Sequence, residues 1–268
     1  MNKALVNRGL QGKLAGLAAA VLIIAGAGTL GGRAVAGPQY TLLRIDGQIV
    51  KWGETRLGTP AHVTYAFADA TYSDLGARNC KNIDRLDGLA ARNGLSSRQI
   101  EMQAKAAFDQ WVGVAGITFE RIDDPQAADI LIGAQVTPRG YAFANVRTHR
   151  RIADRRGAAG EMGLDSATTT EPQPVVPPRS EIASIEKSAI CLNPERDWKI
   201  GTRDGAPGYD LRFTFTHEIG HAIGLDHYVR PGQIMNFRYS EEIDGPQVGD
   251  VNGLRVLYGP PQGEGADG

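Results

Sequence analysis

Between Thr216 and His227 the chain places three of its five histidines around one glutamate. On a helix, residues four apart share a face, so His217 and His221 can present two imidazoles to one metal ion. Glu218 sits one position further round, close enough to a water on that metal to take its proton without becoming a ligand. Gly224 tolerates the left-handed conformation that ends a helix, so the chain can turn back and deliver His227 as a third ligand. Three neutral nitrogens with one open position describe a catalytic Zn2+ site, because structural zinc is normally closed by four protein ligands. A helix whose histidines are merely buried or solvated would not need ligand spacing, an adjacent glutamate and a turn glycine together.

Met235 lies eight residues beyond His227, in Gly232-Gln233-Ile234-Met235-Asn236. With the long zinc motif before it, this stretch resembles the metzincin zinc peptidases, in which a tight turn carries a methionine beneath the metal. Ile234 to Tyr239, and Gly249 to Gly259 after them, are similar to the Met-turn, specificity wall and closing helix of the matrixins. Some metzincins add a tyrosine ligand two residues after the methionine; that position here is Phe237, which favours the matrixin branch. The resemblance implies peptide-bond hydrolysis, with Glu218 as general base, Met235 as a hydrophobic floor, and Phe237 and Tyr239 in the wall of the pocket for the residue after the cut.

These residues require a scaffold, and the resemblance implies an α+β one: a twisted mixed β-sheet with an active-site helix, a backing helix and a C-terminal helix. His62 to Phe67 alternates like a strand, and Ser96 or Ser97 before Gln99 reads as a capping box. The box opens a helix with Ile100, Ala104, Ala107, Phe108, Trp111 and Val112 at helical spacing. Ile117–Ile122 and Ala128–Gly133 read as two further strands, the second apolar enough for a central position. Gly140 to Val146, including Tyr141, Ala142, Phe143 and Ala144, matches in place the edge strand along which matrixins lay an extended substrate, a mode in which the main chain supplies the bonds. Ser188 to Asn193 reads as the last strand, Asp210 as an N-cap, Leu211–Ile223 as the active-site helix, and the stretch from Pro246 or Gly249 to Leu257 as the closing helix. An aspartate at the place of Asp250 is hydrogen-bonded beneath the Met-turn in matrixins, whereas the acidic residue usual before it is replaced by Gly249.

Lys3, Arg8 and Lys13 precede an uncharged apolar run from Leu14 to Leu30 and then Ala34-Val35-Ala36, the layout of a signal peptide cleaved after Ala36. An uncleaved membrane anchor is the alternative. Residues 1–36 hold four of the 29 Lys/Arg and none of the 30 Asp/Glu, leaving 25 basic against 30 acidic residues, a net of −5. That balance argues against nucleic acid as a partner. Export to an oxidising, secreted or periplasmic compartment makes a Cys80–Cys191 disulfide the expectation. The alternative, Cys80 as a thiolate on the open zinc position, lacks the Arg-Cys-Gly core of the matrixin switch, since Arg78-Asn79-Cys80-Lys81 stands there.

The expected organisation is therefore a signal peptide (1–36), an N-terminal arm (37–59) that could cover the cleft, a catalytic domain (60–260) and a disordered tail (261–268). Within the domain, 147–180 is an atypical insertion, first arginine-rich and then rich in Ala, Gly, Thr and Pro, a composition unable to bury a core. Animal matrixins carry a second zinc and calcium in a loop here; His149 among Arg147, Arg150, Arg151, Arg155 and Arg156 does not support either ion. The expected partner is a protein or peptide substrate, with no membrane span after signal removal and a monomeric state. The rival function is a zinc-binding adhesion or protein-binding module with an occluded cleft.

Overall fold

Alternating and β-branched stretches build a mixed sheet, and the 3.6-periodic stretches pack helices onto it. A computed structural model describes residues 39–149, 181–201 and 206–261; the expected signal peptide, most of the insertion and the tail lie outside the described residues. In chain order come β1 (Thr41–Leu42), β2 (Arg44–Ile45), β3 (Gln48–Lys51), β4 (Ala61–Phe67), β5 (Tyr72–Ser73) and β6 (Asn82–Asp84). Two helices follow, α1 (Asp87–Arg92) and α2 (Ser97–Val112), then β7 (Ile117–Arg121), β8 (Ile130–Gln135), β9 (Ala142–Thr148) and β10 (Ile182–Leu192). The chain continues through β11 (Trp198–Lys199), β12 (Tyr209–Asp210), α3 (Leu211–Ala222), β13 (Leu225–Asp226) and α4 (Val248–Tyr258).

The centre of the sheet is parallel: β7 pairs with β4, β4 with β8, and β8 with β10. Parallel strands are buried on both faces, which fits the fully buried β8. On the far side of β10, β9 runs antiparallel with Ala142 opposite Leu192 and Ala144 opposite Ile190. Among the described residues β9 pairs with β10 alone, so no other strand covers its outer backbone edge.

Ser96 caps α2 with the anticipated box: its side chain accepts from Gln99 N–H, and Gln99 Oε1 accepts from Ser96 N–H at 2.9 Å. Phe108 on α2 stacks on Tyr65 of β4 at 4.2 Å between ring centroids. Trp111, one turn on, is fully buried and donates its indole N–H to Thr216 O at 3.0 Å. One helix thus bridges the sheet and the histidine-bearing α3.

The last sheet strand is longer than its sequence signal, because the first half of β10 is partnered by the arm: Ile182, Ala183 and Ser184 pair in parallel with Ile49, Val50 and Lys51. The arm is accordingly an integral part of the sheet. Cys80 and Cys191 are joined as a disulfide, which fixes the loop before β6 against β10. Among the described residues no helix is long and apolar enough to cross a membrane.

Candidate metal centre and cleft

Asp210 starts α3 as an extended N-cap, its Oδ1 accepting from Phe213 N–H at 2.8 Å. From that fixed start the helix brings His217 and His221 to one face. The chain then turns at Gly224, whose φ of +104° is open to glycine and strained for other residues. His227 comes back over the helix: its Nε2 is 3.2 Å from Nε2 of His217 and 3.2 Å from Nε2 of His221.

Hydrogen bonds on the other side of the rings set the tautomers. His217 Nδ1 is 2.7 Å from Ile234 O and His221 Nδ1 is 2.9 Å from Leu225 O. A carbonyl can only accept, so both Nδ1 atoms carry the proton and both Nε2 atoms face inward as lone pairs. A proton on His227 Nε2 could satisfy one of them; a cation between the rings satisfies all three. Metal bonds of about 2.0–2.1 Å from a tetrahedral Zn2+ imply ligand separations of roughly 3.3 Å, which the two 3.2 Å contacts match. The donor set therefore fits zinc. Burial acts in the same direction, holding the imidazoles neutral: His217 is lowered to about 3, with His221 nearby adding to the effect, and His221 to about 4.

Glu218 is buried beside this centre and lines the cleft. Burial pushes its carboxyl up to about 8, while the Ala144 backbone N–H pulls the other way. That contact ties the carboxyl to β9. Met235 is buried beneath α3; a Cβ at Gly220 would collide with its sulfur, which accounts for glycine inside this helix. The turn is held by Asp250, whose Oδ2 accepts from Ile234 N–H at 2.8 Å and whose Oδ1 accepts from Met235 N–H at 3.2 Å. Gly249, where the sequence lacks an acidic residue, has no room for one: a Cβ there would run into Gln39 O and the Gln233 side chain.

A cleft of about 300 Å³ opens over the centre, lined among others by Tyr141, Ala142, Phe143, His217, Glu218, His227, Phe237 and Tyr239. Ala144 lies one residue beyond this lining, at the Glu218 contact. Phe237 is 58% exposed at the rim, whereas Tyr239 packs edge-on against Phe213 at 4.8 Å. The Tyr239 hydroxyl accepts from Asp210 N–H at 3.0 Å, so this wall residue also steadies the start of α3. Sequence reasoning missed Tyr209, Phe213, Thr214 and Asn236 in the lining. Phe213 lies four residues before His217 and so shares its helix face, a signal that could have found it; Tyr209, in a two-residue strand with its ring tilted against that of Tyr141 at 4.2 Å, offered none. Cys80 and Cys191 lie outside the cleft lining, but the bridge sits beside β9, with Cys80 Sγ 3.4 Å from Phe143 O.

A sheet with an edge strand beside a three-histidine helix and a methionine turn defines a metzincin type of domain. A family profile described as Matrixin matches residues 88–259, and the chain belongs to the matrixin family. It is 27% identical over 169 residues to Metalloendoproteinase 1-MMP of Arabidopsis thaliana, covering 62% of this chain and 40% of the relative. It is 28% identical over 170 residues to interstitial collagenase of Sus scrofa, covering 63% of this chain and 30% of that protein. A shorter stretch of 74 residues is 46% identical to matrix metalloproteinase-9 of Canis lupus familiaris, covering 27% of this chain and 10% of that one. The chain thus spans less than half the length of the curated relatives it matches.

Proposed function

We propose that this chain is a zinc-dependent endopeptidase that hydrolyses protein or peptide substrates in the cleft beside His217. One observation carries the reading: three imidazole nitrogens converge at ligand spacing where a buried carboxyl and the outer edge of a β-strand also meet. His217, His221 and His227 would hold one Zn2+. When bound, zinc lowers the pKa of a water toward neutrality and polarises the scissile carbonyl.

Glu218 takes the proton of the attacking water and passes it to the leaving nitrogen. The outer edge of β9, with Ala142, Phe143 and Ala144, aligns an extended peptide by backbone pairing. Tyr141, Phe237 and Tyr239 receive the side chain after the cut and give it a hydrophobic preference. Met235 keeps the floor of the centre apolar and rigid.

Residues 1–36 act as a leader removed after Ala36, delivering the rest of the chain to a secreted or periplasmic location. The disulfide is consistent with such an oxidising compartment. Among the described residues the arm contributes none of those lining the cleft, which supports an accessible site.

The purified chain is expected to cut casein without a chelator and to leave it intact with one. Glu218→Gln is expected to retain zinc and lose roughly 10²- to 10⁴-fold in turnover. Products formed equally in chelator would overturn the metal reading, and parental turnover in the variant would overturn the assignment of the base.

A further inference from the structure

The residues from Gln39 to Trp52 grip the turn that carries the third histidine. At the end of α3 the chain leaves the helix, so its final carbonyls must find partners elsewhere. Three consecutive ones do so outside the helix. Trp52 Nε1 donates to Ala222 O at 2.9 Å, Tyr258 Oη donates to Ile223 O at 2.8 Å, and Leu43 N–H donates to Gly224 O at 2.8 Å. Trp52 N–H donates in turn to the Tyr258 oxygen at 3.0 Å, making one connected set.

The next residues are bound by backbone pairing, Leu42 opposite Leu225 and Thr41 opposite Asp226. His227 follows immediately. From inside the turn, His221 Nδ1 holds Leu225 O. The turn is therefore fixed on its inner side by a histidine of the centre and on its outer side by the arm. Val50 O presses on Gly224 so closely that no Cβ fits, and Val50 and Trp52 are themselves buried.

We propose that Gln39–Trp52 is a permanent positioning clamp for His227, setting the metal affinity of the centre, and is neither a removable latency segment nor a cover for the cleft. The inference rests on the reading of the three histidines as zinc ligands. Its physical basis is the tolerance of a metal bond, about ±0.2 Å. A turn free to drift by more than that loses one of three ligands, while His217 and His221 stay on their helix.

The test measures zinc affinity by chelator competition and four-coordinate Co2+ absorption in the full chain. Trp52→Phe removes one donor while keeping an aromatic ring, and is expected to weaken zinc about tenfold with unchanged far-UV circular dichroism. Deleting residues 37–43 removes the pairing to β13 and is expected to weaken zinc further, toward the level of His227→Ala. Leu89→Ala, in α1 away from the turn, destabilises the fold and is expected to leave affinity at the parental value, separating positioning from general stability.

If His227→Ala weakens zinc while Trp52→Phe and the deletion bind it as the parent does, the clamp is overturned and the ligand reading stands. If His227→Ala itself binds zinc normally, the ligand reading is what fails. A deletion variant that does not fold leaves Trp52→Phe to decide the matter.

Discussion

The most unusual single residue outside the centre is Lys51. Its side chain is fully buried, with Nζ donating to Trp52 O and Glu54 O, both at 2.8 Å, and to Thr59 Oγ1 at 3.2 Å. The ammonium also lies 4.9 Å from the centre of the Tyr258 ring. Burial lowers its pKa from the usual 10.5 to about 8, with the Glu54 carboxylate acting the other way. Between pH 8 and 10.5 the unfolded chain holds a proton at this position that the folded chain has released. Stability therefore rises with pH across that window, and the cost of burying the charge is present in full below pH 8. Lys51→Met removes the titration, so the difference between parent and variant should shift in the parent's favour by up to roughly 3 kcal/mol from pH 8 to 10.5. Urea unfolding of both proteins across that range checks it. A difference independent of pH would mean that Lys51 keeps an ordinary proton affinity in the fold.

At the scale of elements, α4 does for the methionine turn what the arm does for the histidine turn. Asp250, in the first turn of α4, is 1% exposed, and its carboxylate accepts from Ile234, Met235 and Gln247 N–H groups. Asp250→Asn can keep the oxygen that serves Ile234 and Gln247, but it then turns an NH2 group toward Met235 N–H. Two donors facing each other in a buried place should cost about 2–3 kcal/mol. Thermal unfolding should show the loss, and an unchanged midpoint would mean that the turn is held by packing alone. The zinc helix was legible in the sequence because i, i+4 spacing and an N-cap are local relations. The backing helix was equally legible, through Ser96, Gln99 and the apolar row from Ile100 to Trp111, although Val112, expected to close that row, is exposed at the helix end. The arm was only partly so: β2 and β3 close a local hairpin at Asp46-Gly47, both at positive φ, a turn signal the sequence did carry, whereas β1 is two residues long and becomes a strand through β13, far along the chain, and β3 joins the sheet through β10. For the same reason Ser188–Asn193 reported only the half of β10 that lies in the apolar centre.

At the scale of the whole molecule, the disulfide joins positions 111 residues apart, so that the middle of the chain, with β6 through nearly all of β10, lies inside one covalent loop. Closing a loop of that length lowers the entropy of the unfolded chain enough to stabilise the fold by about 4–5 kcal/mol in the chain-entropy account. The bridge also has a local consequence for the cleft. It draws the loop before β6 against β9, where Arg78 N–H donates to Asn145 Oδ1 at 3.0 Å and Arg147 pairs with Asp74 at 3.1 Å. Among the described residues β9 pairs with β10 alone and meets α3 through the Ala144–Glu218 contact, so this loop adds a brace to the strand proposed to align the substrate. Cys80→Ser with Cys191→Ser should therefore do two separable things. The urea midpoint should fall by an amount matching several kcal/mol, and KM for a peptide substrate should rise; kcat should fall only as far as the Glu218 carboxyl moves with Ala144 of β9, since the histidine helix stays packed on α2. If stability drops while KM and kcat both keep their parental values, the bridge acts on the unfolded chain alone and β9 holds its position without it.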